Sequence, residues 1–62
     1  MYRYINTRML THGCAVLAYY DGQYHVDVYQ SNGASPIYTA AFPCVSQAKQ
    51  WREYNAQNYT TH

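Results

Sequence analysis

The chain has 62 residues and a formal net charge of +1, with 48% hydrophobic and 11% charged residues. This length leaves room for one domain and excludes two-domain enzymes, repeat arrays and dinucleotide-binding folds. The composition excludes intrinsic disorder, which requires high net charge and few aromatic residues. Here nine tyrosines accompany one tryptophan and one phenylalanine. We therefore expect a single folded domain over residues 1–62.

The N-terminal segment, residues 1–13, allows two interpretations. Tyr2 and Tyr4 alternate with polar residues as in a β-strand, but the residues that follow fit an irregular arm equally well. The segment has no apolar run of the kind found in a signal peptide. No part of the chain reaches the roughly 20 apolar residues of a membrane helix. We expect a cytoplasmic protein without a membrane span, whose N-terminal segment forms either a fourth strand or an arm.

A β-hairpin is the clearest local prediction. The dipeptide Asp21-Gly22 separates two runs rich in β-branched and aromatic residues, 14–20 and 23–30. Both central residues of a type I′ turn need positive φ, and Asp-Gly accepts that conformation. A two-residue turn also fixes the strand register, which places Leu17 opposite Val26.

This register divides the hairpin into two faces. The first face holds Ala15, Leu17, Tyr19, Tyr24, Val26 and Val28. The second face holds Cys14, Val16, Ala18, Tyr20, Gln23, His25, Asp27 and Tyr29. We assign the first face to the core, because the second carries the charge and the imidazole.

The remainder of the chain predicts a loop, a strand and a helix. Residues 31–36 contain Asn-Gly and proline and predict a loop, and residues 37–42 predict a strand with Tyr38, Ala40 and Phe42 on one face. Residues 44–57 predict a helix, which either Cys44 or Ser46 would cap. The fold class is therefore α+β: a three-stranded antiparallel sheet over residues 14–42, with or without an N-terminal fourth strand, packed on one C-terminal helix.

One broad side of the predicted helix is apolar. At 100° per residue this side holds Val45, Ala48, Trp51, Ala56 and Tyr59. We expect Trp51 to be structural, and Arg52 to lie at the edge of this side with its charge in water.

The segments 20–29 and 39–43, followed by Ala48 and Trp51, resemble small strand-strand-strand-helix proteins of phages and mobile elements. The resemblance covers about residues 14 to 56 and concerns the architecture, because no catalytic motif is shared. It implies a host-takeover factor or an inhibitor of bacterial defence, including anti-CRISPR proteins, that acts in the host cytoplasm.

Metal binding and catalysis are disfavoured. Zinc ligand types occur at His12, Cys14, Cys44 and His62, but no pair has a close ligand spacing. We predict no metal, no cofactor and two free thiols, although the sequence leaves the pairing of the cysteines open. The thiol of Cys14 shares a face with His25, but the register places it opposite Tyr29 and away from the imidazole, so we predict no enzyme activity.

Protein binding is the function that the tyrosines favour, because tyrosine concentrates in recognition surfaces. The predicted partner-binding residues are Tyr20, His25, Asp27, Tyr29, Lys49 and Arg52, and Tyr2, Tyr4, Tyr54 and Tyr59 would extend this surface. The expected partner is a host protein, such as a defence complex. A second copy of the chain could also cover the second face and form a homodimer.

Nucleic-acid binding is the alternative. It would use the basic residues Arg3, Arg8, Lys49 and Arg52. These four cations are few for a phosphate-binding stripe, so we rank this function below protein binding. A structural subunit that assembles only with itself is a third class of function.

Overall fold

A computed structural model describes residues 1–60 of the chain. Its elements are β1 (Arg3–Leu10), β2 (Gly13–Tyr20), β3 (Gln23–Gln30), β4 (Tyr38–Phe42) and α1 (Val45–Asn55), followed by a 3₁₀ turn (Ala56–Tyr59). The four strands form one antiparallel sheet in the order β1-β2-β3-β4. The predicted α+β class is confirmed, and the N-terminal segment contributes the fourth strand.

The central hairpin has the predicted turn and register. Asp21 and Gly22 both have positive φ, 52° and 77°. Leu17 pairs with Val26, and every other pair from Gly13 to Gln30 follows the same two-residue turn. The Asp-Gly pair therefore determines which side chains of β2 and β3 share a face.

A second tight hairpin joins β1 to β2. Leu10 pairs with Gly13, so Thr11 and His12 alone form the connection. Gly13 lies against the neighbouring strand so closely that an added Cβ would stand 1.9 Å from the carbonyl oxygen of Tyr29. Only glycine allows this approach of the two backbones.

Strand β1 contains a β-bulge between Tyr4 and Asn6, and Ile5 is the extra residue. A bulge shifts all later side chains of its strand to the face opposite the one that strict alternation gives. Asn6 and Arg8 consequently lie on the side of α1, while Met9 lies on the other side with Tyr4.

The core lies between the sheet and α1, on what we call the helix face. Its fully buried members are Ala15, Leu17, Val26, Val28, Ala48 and Ala56. Partly buried apolar residues surround them, among them Val45, Phe42 and Trp51. Trp51 is thus structural, and the first face of the hairpin is the core side as predicted.

The observed helix ends earlier than the sequence predicts. The α-helix ends at Asn55 instead of residue 57, because the chain tightens into the 3₁₀ turn. Cys44 is the N-cap residue, with extended backbone (φ −139°, ψ 156°), and Ser46 lies within the first helical turn.

The expected position of Arg52 is wrong. Its side chain is 8% exposed and donates a hydrogen bond to the side chain of Asn6, so its charge is buried between α1 and β1 and does not lie in water.

Candidate functional site

The second side of the sheet faces no helix within residues 1–60. We call it the open face. Its residues are Tyr2, Tyr4, Thr7, Met9, Cys14, Val16, Ala18, Tyr20, Gln23, His25, Asp27, Tyr29, Thr39 and Ala41. All four strands contribute to it.

A stack of three rings lies on the open face, at the end of the sheet near the Asp21-Gly22 turn. The ring of Tyr20 lies on the imidazole of His25, with centroids 3.8 Å apart and an interplanar angle of 9°. Tyr2 stacks in turn on Tyr20, at 5.5 Å and 25°. As a result His25 is only 8% exposed although no element covers this side of the sheet. The face is therefore ordered by its own aromatic side chains.

A buried carboxylate lies beside this stack. Asp27 is 7% exposed, and the hydroxyl of Tyr20 donates a long hydrogen bond of 3.5 Å to its Oδ1. Burial raises the pKa of Tyr20, and the charge of Asp27 raises it further. The pKa of Tyr29 is raised for the same two reasons. Both phenols are therefore neutral hydrogen-bond donors at physiological pH.

The β1 side of the open face is exposed to solvent. Tyr2 is 58% exposed, Tyr4 56% and Met9 76%. The hydroxyl of Tyr4 is 2.8 Å from Oγ1 of Thr7, which holds the ring in place. Large apolar side chains thus project from an ordered surface, an arrangement typical of interaction sites.

The basic residues lie away from the open face. Arg3 and Arg8 are on the helix face by their strand pairing, and Arg8 forms an ion pair of 3.1 Å with Glu53. Lys49 and Arg52 belong to α1, and Arg52 is buried. Because Arg8 is paired with Glu53 and Arg52 is buried, the four cations proposed for nucleic-acid binding do not form an exposed basic patch, and none lies on the open face.

The structure brings together four of the six predicted partner-binding residues. Tyr20 and Tyr29 are half-buried on the open face, and His25 and Asp27 lie among them but are nearly covered. The other two, on α1, lie on the opposite side of the sheet. Sequence reasoning missed Met9, the most exposed large hydrophobic side chain of the strands, because no sequence signal showed the bulge that turns it outward.

The cysteines and histidines are dispersed. Cys14 lies on the open face opposite Tyr29, Cys44 begins α1, and both thiols are free. His12 lies in the first hairpin turn, and His62 is outside the described residues. Among residues 1–60 no group of three or more histidine, cysteine, aspartate or glutamate side chains is arranged to hold a metal ion.

Comparisons with protein-family models, with curated proteins and with solved structures give no match to this chain. In the described part of the chain no helix is long and apolar enough to cross a membrane.

Proposed function

We propose that the protein is a non-enzymatic binding protein that docks a protein partner on its open face. The observation that carries this proposal is the exposure of Tyr2, Tyr4 and Met9 on a four-stranded sheet face that α1 does not cover. Tyrosine and methionine are both enriched in protein interfaces.

The order of the open face favours tight association. Tyr20 is held between Tyr2 and His25, so these rings lose little conformational freedom when a partner covers them. Rigid tyrosine rings supply large contact area and a hydrogen-bonding tip at low entropic cost. The exposed thioether of Met9 adds a flexible group that adapts to the partner's shape.

The charge distribution favours protein over nucleic acid as the partner. Stacked aromatic rings on an open sheet can bind bases, but such sites also track the phosphates with a basic groove. Among residues 1–60 the open face has no lysine or arginine, and its one carboxylate, Asp27, repels phosphate. A nucleic acid would therefore gain stacking without phosphate neutralisation, which supplies most non-specific affinity.

The resemblance to small phage proteins gives this proposal a concrete form. A phage-encoded chain of this architecture would block a bacterial defence protein in the host cytoplasm, as anti-CRISPR proteins do, by covering a functional surface. Occupation of the open face by a second copy of the chain, as a homodimer, would compete with such a partner.

The test is affinity capture from a nuclease-treated bacterial lysate with three baits. The first bait is the parent chain and the second carries Tyr4→Ala and Met9→Ala. The third is the matched control Tyr54→Ala, which removes a tyrosine that is 75% exposed on α1. We expect one protein to be captured by the parent and the control and lost by the double variant.

Several results would overturn the proposal. Capture from an untreated lysate that is absent from the nuclease-treated lysate, or capture that falls steeply as salt rises, would indicate a nucleic-acid partner. Capture that depends on Tyr54 and not on Tyr4 would place the site on the helix. Recovery of the bait alone, with a higher oligomer at high concentration, would indicate an assembly subunit.

A further inference from the structure

A groove opens on the helix face, at the end of the sheet where the central hairpin turn approaches the start of α1. Its volume is about 550 Å³, within the range of small-molecule sites, about 300 to 1,000 Å³. The residues that shape it are Arg3, Ile5, Tyr19, Tyr24, Pro43 and Val45. It lies on the opposite side of the sheet from the open face, so it is independent of the proposed protein-binding function.

Arg3 supplies the groove with an unpaired positive charge. Among residues 1–60 its guanidinium has no carboxylate partner, whereas Arg8, further along β1, is paired with Glu53. Asp21 lies in the turn next to the groove but does not line it. A guanidinium in a concave site binds carboxylates through two parallel hydrogen bonds.

Two phenols and an apolar wall complete the site. The rings of Tyr19 and Tyr24 are 4.8 Å apart and tilted by 59°. In the described chain neither hydroxyl has a hydrogen-bond partner, so both can donate to an anion. Ile5 and Val45 are partly buried against the core and offer apolar contacts.

We propose that this groove binds a small organic carboxylate that carries an aromatic ring. The carboxylate would be held by Arg3 and by the phenol hydroxyls of Tyr19 and Tyr24. The aromatic ring would pack against Ile5 and Val45, and against the tilted tyrosine rings, in an edge-to-face arrangement.

The experiment is a titration of ¹⁵N-labelled protein with phenylacetate, followed by amide NMR shifts. We expect saturable shifts at Gly22, Tyr24 and Val45, which line the groove. The neutral analogue phenylacetamide should bind at least about tenfold more weakly, because it lacks the charge that Arg3 recognises.

Two variants test the role of Arg3. Arg3→Gln should weaken phenylacetate binding about tenfold or more, and its exposed position makes loss of the fold unexpected. The matched control Lys49→Gln removes one positive charge outside the groove and should bind as the parent does.

If the parent protein binds phenylacetate and phenylacetamide with equal affinity, that comparison alone overturns the proposal. Equal losses in Arg3→Gln and Lys49→Gln would overturn it too, because the effect would then be one of net charge. Shifts confined to the open face, or no saturable shifts at all, would also contradict it.

Discussion

Arg52 of α1 donates a hydrogen bond to the side-chain oxygen of Asn6, the residue that follows the extra position of the β-bulge in β1. The guanidinium is 8% exposed, and its Nε has no hydrogen-bond partner among the described residues. A buried charge strongly destabilises the folded state when one of its few hydrogen-bond partners is removed. This contact therefore joins the edge strand β1 to α1 on the helix face.

Removal of Asn6 should cost more stability than removal of Arg52. Asn6→Ala leaves the buried guanidinium without its acceptor, and we expect a loss of about 2 kcal/mol in the free energy of unfolding. Arg52→Met removes the charge and keeps much of the side-chain volume, so its loss should be smaller. Urea denaturation checks both values, with Lys49→Met as an exposed control. A larger loss for Arg52→Met would contradict the charge-burial argument.

Alanine at Gly13 should be strongly destabilising. The new Cβ would overlap the carbonyl oxygen of Tyr29, a backbone atom that moves only if β2 and β3 separate. We expect a loss of about 3 kcal/mol, the upper end for overpacking. Gly33→Ala is the matched control, because its added Cβ would meet its nearest atoms at 3.6 Å and φ there is not positive. Similar denaturation midpoints for the two variants would show that the strands tolerate the overlap.

The stability of the fold should decline in alkaline solution. Burial and the nearby Asp27 raise the pKa of Tyr20 and of Tyr29 above the ordinary value of 10.0. The folded state then retains protons that the unfolded state releases, so their contribution is complete below pH 10 and is lost as pH rises further.

Phenylalanine variants test this origin of the alkaline decline. The slope of unfolding free energy against pH, measured by urea denaturation between about pH 8 and 11, should be shallower in a Tyr20→Phe, Tyr29→Phe double variant. Tyr54→Phe, at an exposed position of α1, should leave the slope as in the parent. An unchanged slope in the double variant would place the alkaline sensitivity elsewhere.

The thiol of Cys44 should react at a lower pH than an ordinary cysteine. A hydrogen bond from the hydroxyl of Ser46 lowers its pKa, and the backbone amides of Gln47 and Ser46 lower it further, while burial acts in the opposite direction. Iodoacetamide alkylation followed by peptide mass mapping measures the pH profile of this one thiol. Ser46→Ala should move the profile to higher pH, and a profile that does not move would contradict the assigned cause.

Local chemistry explains why parts of the fold could be predicted from the sequence. The Asp21-Gly22 turn determines its own conformation, and the register of β2 and β3 follows by counting from it. The β-bulge at Ile5 has no such local origin. The bulge instead allows two tertiary contacts, because it directs Asn6 toward Arg52 and Arg8 toward Glu53. Periodicity along β1 therefore could not show that Met9 belongs to the open face.

In the helix, too, the spacing of residues could not show every buried position. Its apolar side was evident from spacing, but the burial of Arg52 depends on an acceptor 46 positions away in the chain. Of the predicted partner-binding residues, those on the hairpin were correctly grouped because one local turn relates them. Lys49 and Arg52 were placed with them only by residue type, and residue type carries no information about which side of a sheet a helix packs on.

The strand order β1-β2-β3-β4 has a kinetic consequence, because each strand pairs with the one that precedes it in the chain. Two of the three connections are two-residue turns, so these pairings close with very short loops. Hairpins form in microseconds, and chains dominated by local pairing reach the native state faster than sandwiches built from distant strands. The β1-β2 and β2-β3 pairings of the sheet can thus each form by closure of a two-residue turn, without a long loop being ordered first.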